Sequence, residues 1–364
     1  LAARGRTPHQ SIRGHRPTPG TSADSVKVRQ PRFLIIRRDN IGDLVCTTPL
    51  ITALRQQYPE AWIGALVNRY ALPVLENNPD VSEVVSYEKA KHRAPGTSLF
   101  STYRERWRLI RHLRRIEIDY AILASPGRQP SAERMARWIG ARHIVGFAGI
   151  SRIIDMPVEA PPEVLHQVVR AFALLQPLGI EGAPPPLRVV PSPDQVRVMT
   201  AKLPGGRKPV VHLHISARED DRRWPEQHFV DMTLRLLQEQ AAVVMTWAPG
   251  SSSNPLFPGD DDRVRRIADR IRDDAFAAMP TPDLATLIAS LAVSDYVICS
   301  DGGPVHLAAA LNKPVLCFFG HEDRRLWHPW AVPYELLQAP SRRAADISIE
   351  DAWAAWQRLN RVPS

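Results

Sequence analysis

Short apolar runs alternate with amphipathic stretches along most of this chain, and this alternation constrains its fold more than any other feature. Short apolar runs are typical of strands buried in a parallel sheet, and the amphipathic stretches between them are typical of crossover helices. The pattern therefore predicts a parallel α/β arrangement. The predicted strands lie near residues 33–38, 61–67, 83–87, 119–124, 143–147, 209–215, 242–247, 295–300 and 314–319.

Helical periodicity fills the intervals between the predicted strands. The last periodic segment places its apolar residues on one face, as expected of a helix that covers a surface. The predicted helices lie near residues 43–57, 101–116, 131–140, 164–177, 193–203, 226–240, 260–272, 282–292, 304–311 and 346–360.

Three consecutive prolines, Pro184 to Pro186, divide the chain near its middle. Consecutive prolines stop a helix and form a stiff, extended spacer, so we predict a linker at 183–192. At 364 residues the chain is long enough for two domains of ordinary size. The predicted domains are residues 31–182 and 193–345.

The first 30 residues combine six basic side chains with Pro, Gly, Ser and Thr, which predicts a disordered basic tail. Whether this tail is native is left open. No apolar run approaches the ~20 residues that span a bilayer, and the N-terminus lacks the apolar centre of a signal peptide. Cys46, Cys299 and Cys317 stand singly in apolar surroundings, which is typical of buried thiols in a reducing compartment. We therefore expect a cytoplasmic protein.

Positive charge is concentrated in the first half of the chain. Residues 31–190 contain 21 basic and 15 acidic side chains, whereas residues 191–364 contain 20 basic and 22 acidic ones. This asymmetry predicts that the first domain meets an acidic molecule or an anionic membrane surface. We expect no nucleic acid among the partners. A dinucleotide oxidoreductase is disfavoured because no Gly-x-Gly-x-x-Gly follows the first strand.

The segment from Ser300 to Ala310 joins a buried strand to a helix of small residues. Gly302 and Gly303 occupy the turn, and Pro304 suits the first helical position. The first amides of a helix lack internal partners, and the helix dipole adds positive potential there. Such a turn can bind an anion such as a diphosphate, with a tight turn that binds nothing as the alternative.

A second segment places a carboxylate after the first predicted strand. The strand 33–38 runs into a polar turn, Gly42 stands where a helix begins, and Asp43 lies in its first turn. Asp43 is therefore either a helix-start residue or a side chain that projects into the cleft where open α/β sheets place their ligands.

Together these segments resemble glycosyltransferase family 9, the heptosyltransferases of lipopolysaccharide core assembly. The resemblance covers about residues 31 to 356 and is carried by three motifs in the family's order and spacing. The matched residues are Ile41, Gly42, Asp43, Thr47 or Thr48, Pro49, Arg222, Trp224, Pro225, Phe229, Asp301, Gly303, Pro304, His306 and Ala308.

The resemblance implies the GT-B fold, in which two doubly wound Rossmann-like domains face a cleft. The domain at 31–182 is then expected to bind the acceptor, and the domain at 193–345 the nucleotide sugar. In that fold the last helix commonly crosses back, so we expect the segment 346–361 to pack toward the N-terminal domain.

The resemblance also implies an inverting transfer that needs no metal, with Asp43 as the base. The departing diphosphate is then expected to be held by backbone amides and by a cation. Arg222 stands where the family usually has a lysine, with a solvated basic turn as the alternative. The expected donor and diphosphate ligands are Ser216, Arg222, Asp301, Gly302, Gly303, Val305 and His306.

Trp247, Ala248 and Pro249 occupy the family's usual position for contact with the nucleotide base. The loop at 251–262 carries three aspartates, and which acid replaces the family's ribose-binding glutamate stays open. His212 and His214 share one face of a predicted strand. That pairing can bind metal, but no third ligand stands nearby, so we interpret both as structural.

The helix at 101–116 carries two stripes. Tyr103, Trp107 and Ile110 form an apolar stripe, which we expect to face the core. The second stripe is basic, and it is either a solvated face or a surface for acceptor phosphates or an anionic leaflet. Its members are Arg104, Arg108, Arg111 and Arg115.

The resemblance therefore predicts a transferase that moves a heptose from ADP-heptose to an acidic lipopolysaccharide core or lipid A-type acceptor. No metal and no other cofactor is expected, since the nucleotide sugar is the donor substrate. The expected partners are that nucleotide sugar, an acidic glycolipid and an anionic membrane, with the protein peripheral on the cytoplasmic face of the inner membrane. Two alternatives stay open: a family 9 transferase with another donor or acceptor, and a nucleotide-sugar-binding protein without turnover.

Overall fold

Two parallel six-stranded sheets form the protein. The computed structural model describes residues 29–86, 99–161, 165–253 and 259–361. The predicted tail therefore lies outside the described residues except for its last two positions. The first sheet has the order β3-β2-β1-β4-β5-β6. Its strands are β1 (Arg32–Ile36), β2 (Trp62–Val67), β3 (Glu83–Ser86), β4 (Tyr120–Leu123), β5 (His143–Phe147) and β6 (Met156–Val158).

The second sheet has the order β12-β11-β10-β7-β8-β9, and all its neighbouring strands are parallel. Its central strands are buried on both faces, as continuous apolar runs require. The strands are β7 (Val210–His214), β8 (Ala242–Trp247), β9 (Phe276–Pro280), β10 (Tyr296–Ser300), β11 (Val315–Phe319) and β12 (Tyr334–Gln338).

Helices connect the strands and cover the sheets. None of the helices within the described ranges combines the length and apolar character needed to cross a bilayer. The α-helices are α1 (Ile41–Val45), α2 (Thr48–Gln57), α3 (Leu99–Ile116), α4 (Pro130–Ile139), α5 (Gln167–Ala173), α6 (Pro193–Thr200), α7 (Glu226–Gln238), α8 (Asp261–Ala268), α9 (Leu284–Ala292), α10 (Gly303–Ala310), α11 (Arg324–Trp327) and α12 (Ile349–Asn360).

The parallel α/β prediction is confirmed, with differences at the sheet edges. The three strands that the sequence pattern missed, β6, β9 and β12, are all edge strands. Edge strands are partly exposed and lack the continuous apolar run that marks a buried strand. The single helix predicted at 43–57 is two helices, because Pro49 has no amide to continue the hydrogen-bond ladder and a new helix begins at Thr48.

The C-terminal helix belongs to the second sheet. It packs against α7, β11 and β12. Ala352, Ala355 and Trp356 are buried in a hydrophobic cluster whose members all lie between residues 211 and 359. The expectation that this segment packs toward the N-terminal domain is therefore wrong, because its apolar face is already covered by its own unit.

The proline-rich segment is anchored to the first unit. Leu187 and Val189 are buried in the core that includes the first sheet. Between them, the Arg188 amide donates to Thr48 Oγ1 at 3.0 Å, and the Arg188 guanidinium pairs with Asp80 at 3.0 Å. The predicted spacer thus has a fixed course along the surface of the first unit.

Each sheet has one point where the strand order reverses. In the first sheet this point lies between β1 and β4, and in the second between β7 and β10. At such a point the two adjacent loops leave toward opposite faces and open a crevice, where α/β proteins bind their ligands. The fold therefore offers two crevices, one in each unit.

Removal of the Asp80 carboxylate tests the anchoring of the linker. Asp80 accepts from Thr52 Oγ1 at 2.7 Å as well as from Arg188, so Asp80→Ala leaves both donors unpaired. We expect the free energy of unfolding to fall by about 1–3 kcal/mol in urea denaturation. Asp194→Ala is the control, because its ion pair with Arg197 is exposed and contributes at most about 1 kcal/mol. Equal effects of the two substitutions would contradict this account.

Candidate active site

Asp43 lies at the crevice of the first sheet. It sits in the first turn of α1, which follows β1 directly. Its Oδ1 contacts Arg37 Nη2, and its Oδ2 accepts from the Asn40 backbone amide at 3.2 Å. The side chain is 13% exposed. Asp43 therefore fulfils the helix-start role and also presents part of its carboxylate at the crevice.

The guanidinium of Arg37 is buried between two carboxylates. Its Nε lies 3.2 Å from Asp39 Oδ2, while Nη2 contacts Asp43 and Nη1 donates to the Ala124 carbonyl oxygen. A buried cation of this kind is stable only when its charge is compensated and its donors are satisfied. Sequence analysis missed this residue.

Asp39 is held from the other side of the crevice. Ser125 Oγ donates to Asp39 Oδ2 at 2.7 Å, and Gln129 Nε2 donates to Asp39 Oδ1. Both partners follow β4, whereas Asp39 follows β1. The signal that could have revealed this network is the polar run from Arg37 to Asn40 directly after β1, together with Ser125 and Gln129 in the loop after β4.

The two units meet at the helices that begin in the two predicted motifs. Helix α1 packs against α10, and Gly42 and Gly303 lie at the contact. A Cβ on Gly42 would come within 2.6 Å of His306 Cδ2, and one on Gly303 within 3.3 Å of Ile41 Cγ2. The absence of side chains at both glycines therefore permits the close approach that brings Asp43 beside the α10 turn.

The turn before α10 adopts a backbone conformation that favours glycine, as the sequence predicts. Gly302 has φ +147°, a conformation that a side chain disfavours. Of the three amides expected at a diphosphate, that of Val305 instead donates to the Gly302 carbonyl oxygen at 3.2 Å. The peptides of Gly302 and Gly303 are the remaining candidates, since the i to i−3 bond already engages Val305 within the turn.

Asp301 and Arg222 lie together at the crevice of the second sheet. Arg222 Nη1 lies 3.3 Å from Asp301 Oδ2, and Arg222 Nη2 donates to Glu322 Oε1 at 2.9 Å. Burial raises the pKa of Asp301 to about 6, and Arg222 acts in the opposite direction. The alternative of a solvated basic turn thus does not describe Arg222, which is mostly buried between two carboxylates.

Polar atoms without partners cluster around this pair. Arg222 Nε, Asp301 Oδ2 and Ser300 Oγ are buried and make no hydrogen bond within the described residues. Buried polar atoms are nearly always satisfied in folded proteins. The three atoms lie together near the end of β10 and the α10 turn. A polar ligand bound there can supply the hydrogen-bond partners that they lack.

Ser216 is committed to an internal contact. Its hydroxyl donates to Asp260 Oδ2 at 2.6 Å and accepts from the Ala248 amide at 2.9 Å. Arg223 completes this cluster with an ion pair to Asp260 at 2.9 Å. The expected role of Ser216 as a free hydroxyl for phosphate thus requires that its bond to the buried Asp260 breaks first.

The segment expected at the nucleotide base ends β8. Trp247 Nε1 donates to Asp261 Oδ1 at 2.7 Å, and the Gly250 amide donates to Asp261 Oδ2 at 3.0 Å. Asp261 thereby orders the loop that contains Ala248 and Pro249. All three aspartates in this loop already bind neighbouring groups of the protein, since Asp262 Oδ1 accepts from Arg265 Nη1 at 2.9 Å.

His306 lies at the junction between the units. It is 2% exposed, its ring meets Trp327 edge-on at 5.6 Å, and its Nδ1 lies 3.7 Å from Cys46 Sγ. Burial lowers the pKa of His306 to about 3, with further lowering by His166 and His328. The ring is therefore neutral at physiological pH, and any contact with a diphosphate would be a hydrogen bond rather than an ion pair.

His212 and His214 share one partner, Thr246 Oγ1, at 2.7 and 2.9 Å. Burial lowers their pKa values to about 3 and about 4. Within the part of the chain that the structure describes, no three His, Cys, Asp or Glu side chains are arranged to hold a metal ion. The two histidines are core residues, as their interpretation from the sequence proposed.

The basic stripe of α3 lies on the protein surface beside exposed aromatic rings. Trp107 is 60% exposed and Tyr103 is 53% exposed, whereas Ile110 is buried. The prediction that Tyr103 and Trp107 face the core is therefore wrong. Ile110 and Leu113 form the buried stripe of this helix instead. The exposed arginines are Arg104, Arg108, Arg111 and Arg115.

The family model for glycosyltransferase family 9 (heptosyltransferase) matches residues 106–356. The chain belongs to this family. It is accordingly a glycosyltransferase, and the resemblance on the three motifs is confirmed.

Individual relatives support the same placement. The chain is 25% identical over 345 residues to lipopolysaccharide heptosyltransferase 3 of Escherichia coli K12, covering 87% of this chain and 95% of that one. Two solved Escherichia coli structures are similar in fold, each at 18% identity and each covering 90% of this chain. The ADP-heptose LPS heptosyltransferase II has a TM-score of 0.72 with 98% of its chain covered, and the heptosyltransferase WaaC with ADP-2-deoxy-2-fluoro heptose has 0.71 with 99% covered. The GT-B prediction is therefore confirmed.

The close approach of the two units is tested by Gly42→Ala. The added methyl meets His306 Cδ2, and Trp327 and Cys46 restrict retreat of the ring. We expect a loss of about 1–3 kcal/mol in the free energy of unfolding, because overpacking forces the helices apart.

A double-substitution cycle supplies the control for that variant. His306→Ala creates room for the methyl, so the two substitutions together are expected to cost less than the sum of their separate effects. Gly205→Ala is the matched glycine control, because its Cβ meets no atom within 4 Å. Additive losses in thermal or urea denaturation would show that Gly42 and His306 are not in contact.

Proposed function

We propose that this family 9 glycosyltransferase moves a heptose from ADP-heptose to an acidic acceptor of the lipopolysaccharide core, with inversion at the anomeric carbon. The observation that carries the proposal is the contact between α1 and α10, in which Gly42, the neighbour of Asp43 in sequence, lies against His306, and Ile41 lies against Gly303. We propose ADP-heptose as the donor because one of the similar Escherichia coli structures is named for ADP-heptose and the other carries its 2-deoxy-2-fluoro analogue. The class of acceptor follows the lipopolysaccharide heptosyltransferase 3 relative.

Asp43 is proposed to remove the proton from the attacking acceptor hydroxyl. Inversion requires one base on the face of the sugar opposite the leaving group, and Asp43 stands at the crevice of the first sheet, across from the α10 turn. The acceptor oxygen forms the new glycosidic bond, the anomeric carbon–oxygen bond to ADP breaks, and the proton passes to Asp43.

The leaving diphosphate is proposed to be stabilised by the α10 turn together with Arg222. A helix N-terminus supplies about 0.3–1 kcal/mol when exposed and up to about 2 kcal/mol when partly buried, so a side-chain cation is needed as well. Arg222 is suited to this because a guanidinium can bind phosphate oxygens in a bidentate way. These two sources of positive potential support a transfer that does not use a metal.

The donor must compete with the carboxylates that now hold Arg222. Glu322 is one-third exposed and binds Arg222 Nη2, so it can rotate away when phosphate oxygens arrive. Asp301 is buried, and burial raises its pKa to about 6. Proton uptake by Asp301 would reduce its repulsion of a diphosphate, and Asp301 and His306 are proposed to contact the diphosphate or the sugar.

The acceptor is proposed to approach over the basic face of the first unit. Among the described residues, no acidic side chain pairs with Arg104, Arg108, Arg111 or Arg115. Exposed Trp and Tyr rings beside unpaired arginines are typical of surfaces that lie on anionic lipid. We place the enzyme on the cytoplasmic face of the inner membrane, where its acidic glycolipid acceptor would be presented.

A family 9 transferase with a different donor is the second candidate. It is favoured by the loop at the nucleotide base, in which Asp260 and Asp261 are already engaged by Ser216 and Trp247. A nucleotide-sugar-binding protein without turnover is disfavoured by the position of Asp43 beside the α10 turn.

Replacement of the proposed base separates catalysis from donor binding. Asp43→Asn is expected to lower kcat by about 10²–10⁴, the usual contribution of a positioned general base. ADP affinity, measured by calorimetry, is expected to change little. Asp194→Asn, an exposed aspartate on α6, is the control and should leave both quantities unchanged. Weakened ADP binding with normal turnover would show that Asp43 has a different role.

The basic face is tested with lipid vesicles. We expect the enzyme to co-sediment with phosphatidylglycerol vesicles, with binding that weakens as salt rises. Each arginine near an anionic surface contributes about 1 kcal/mol, so Arg108→Ala with Arg111→Ala should lower partitioning by at least about tenfold. Arg197→Ala with Lys208→Ala removes two exposed cations from the other unit as a control. Equal binding to neutral phosphatidylcholine vesicles would contradict the proposal.

A further inference from the structure

Arg37 links the proposed base to a second carboxylate. Its buried guanidinium contacts Asp43 Oδ1 through Nη2 and lies 3.2 Å from Asp39 Oδ2 through Nε. Its Nη1 donates to the Ala124 carbonyl oxygen at the end of β4. The guanidinium plane is therefore fixed by both strands that border the crevice, and it cannot rotate without breaking contacts on each side.

The carboxylate of Asp39 is not free to bind a ligand in the crevice. Both of its oxygens are engaged, Oδ2 by Ser125 Oγ and Oδ1 by Gln129 Nε2. Its backbone oxygen accepts from Asn68 Nδ2 at 2.9 Å and from Tyr70 OH at 2.7 Å. A carboxylate with this many partners is suited to a fixed electrostatic role rather than to binding a substrate that comes and goes.

We infer that Arg37 and Asp39 are positioning residues that fix the orientation of the Asp43 carboxylate for the transfer step. Arg37 fixes one oxygen of Asp43, and the Asn40 amide fixes the other. Asp39 lies against Nε of the same guanidinium and compensates part of its charge. The inference rests on the proposed role of Asp43 as the base.

The two contacts of Arg37 explain why the site uses both residues. Arg37 reaches Asp43 through one nitrogen, and Asp39 lies against another nitrogen of the same guanidinium. A buried cation needs compensating charge, so loss of Asp39 would remove part of what holds the guanidinium against Asp43.

Three substitutions test the positioning of Asp43. Arg37→Met removes the group that contacts the Asp43 carboxylate, and Asp39→Asn removes the negative charge that holds the guanidinium from its other side. Arg37→Lys keeps the positive charge but cannot contact two groups in the plane of a guanidinium, so it should lose the fixed orientation.

The first measurement does not depend on the identity of donor or acceptor. Carboxyl-¹³C resonances of aspartate-labelled enzyme are recorded at pH 7, and the Asp43 signal is assigned by its loss in Asp43→Asn. A changed chemical shift of that signal in Asp39→Asn and in Arg37→Met is the expected result. An unchanged Asp43 signal in both folded variants overturns the inference even if transfer is never detected.

The second measurement uses ADP-heptose and a heptose-deficient lipopolysaccharide acceptor. The kcat should fall about tenfold in Asp39→Asn, with the KM for ADP-heptose unchanged. Arg37→Lys should also lose kcat with an unchanged KM. Arg128→Met, an exposed arginine of the same unit, is the control and should match the parent.

The two measurements separate the possible failures. Absence of transfer in the parent, with a changed Asp43 signal in the variants, would overturn the proposed function and support the positioning of Asp43 by Arg37 and Asp39. Transfer in the parent with an unchanged kcat in Asp39→Asn would overturn the inference and leave the proposed function in place. If Arg37→Met does not fold, Asp39→Asn and Arg37→Lys give the same test.

Discussion

The contact between α1 and α10 is the constraint on which the rest of the structure depends. Each unit has its own crevice at the point where its strand order reverses, with the proposed base in the first and the proposed diphosphate turn in the second. The glycines at positions 42 and 303 let the two helices approach until His306 and Ile41 fill the space where side chains would stand. One hydrophobic cluster continues from the first unit into the second across this contact. The two crevices thereby become one site.

In each crevice a mostly buried arginine lies between two carboxylates. Arg37 lies between Asp39 and Asp43, and Arg222 lies between Asp301 and Glu322. A guanidinium in a mostly buried position needs compensating charge, and two carboxylates satisfy more of its five donors than one. The consequences differ between the units. In the first, the carboxylate partner Asp43 is the proposed base, while in the second the cation itself is proposed to exchange a carboxylate for phosphate.

Sequence patterns predicted the features that depend on local order along the chain. Buried strands such as β1 and β10 are continuous apolar runs, and the glycine turn before α10 is formed by residues that are consecutive in the sequence. The edge strands β6, β9 and β12 were missed because partial exposure removes that run. Tyr103 and Trp107 were misplaced because helical spacing predicts a shared face but not which sector of the helix meets the core. The partners of Ser216, Arg37 and Arg222 could not be predicted, since Asp260, Ala124 and Asp301 lie 44, 87 and 79 residues away and meet them only in the folded chain.

The most direct test of the joined site is a crystal structure of the enzyme with ADP. The account predicts that the diphosphate lies at the turn of Gly302 and Gly303, that Arg222 releases Glu322 to bind a phosphate oxygen, and that Asp43 faces the same space from the first unit. ADP bound away from the crevice between β7 and β10, with the Arg222 ion pairs intact, would contradict it.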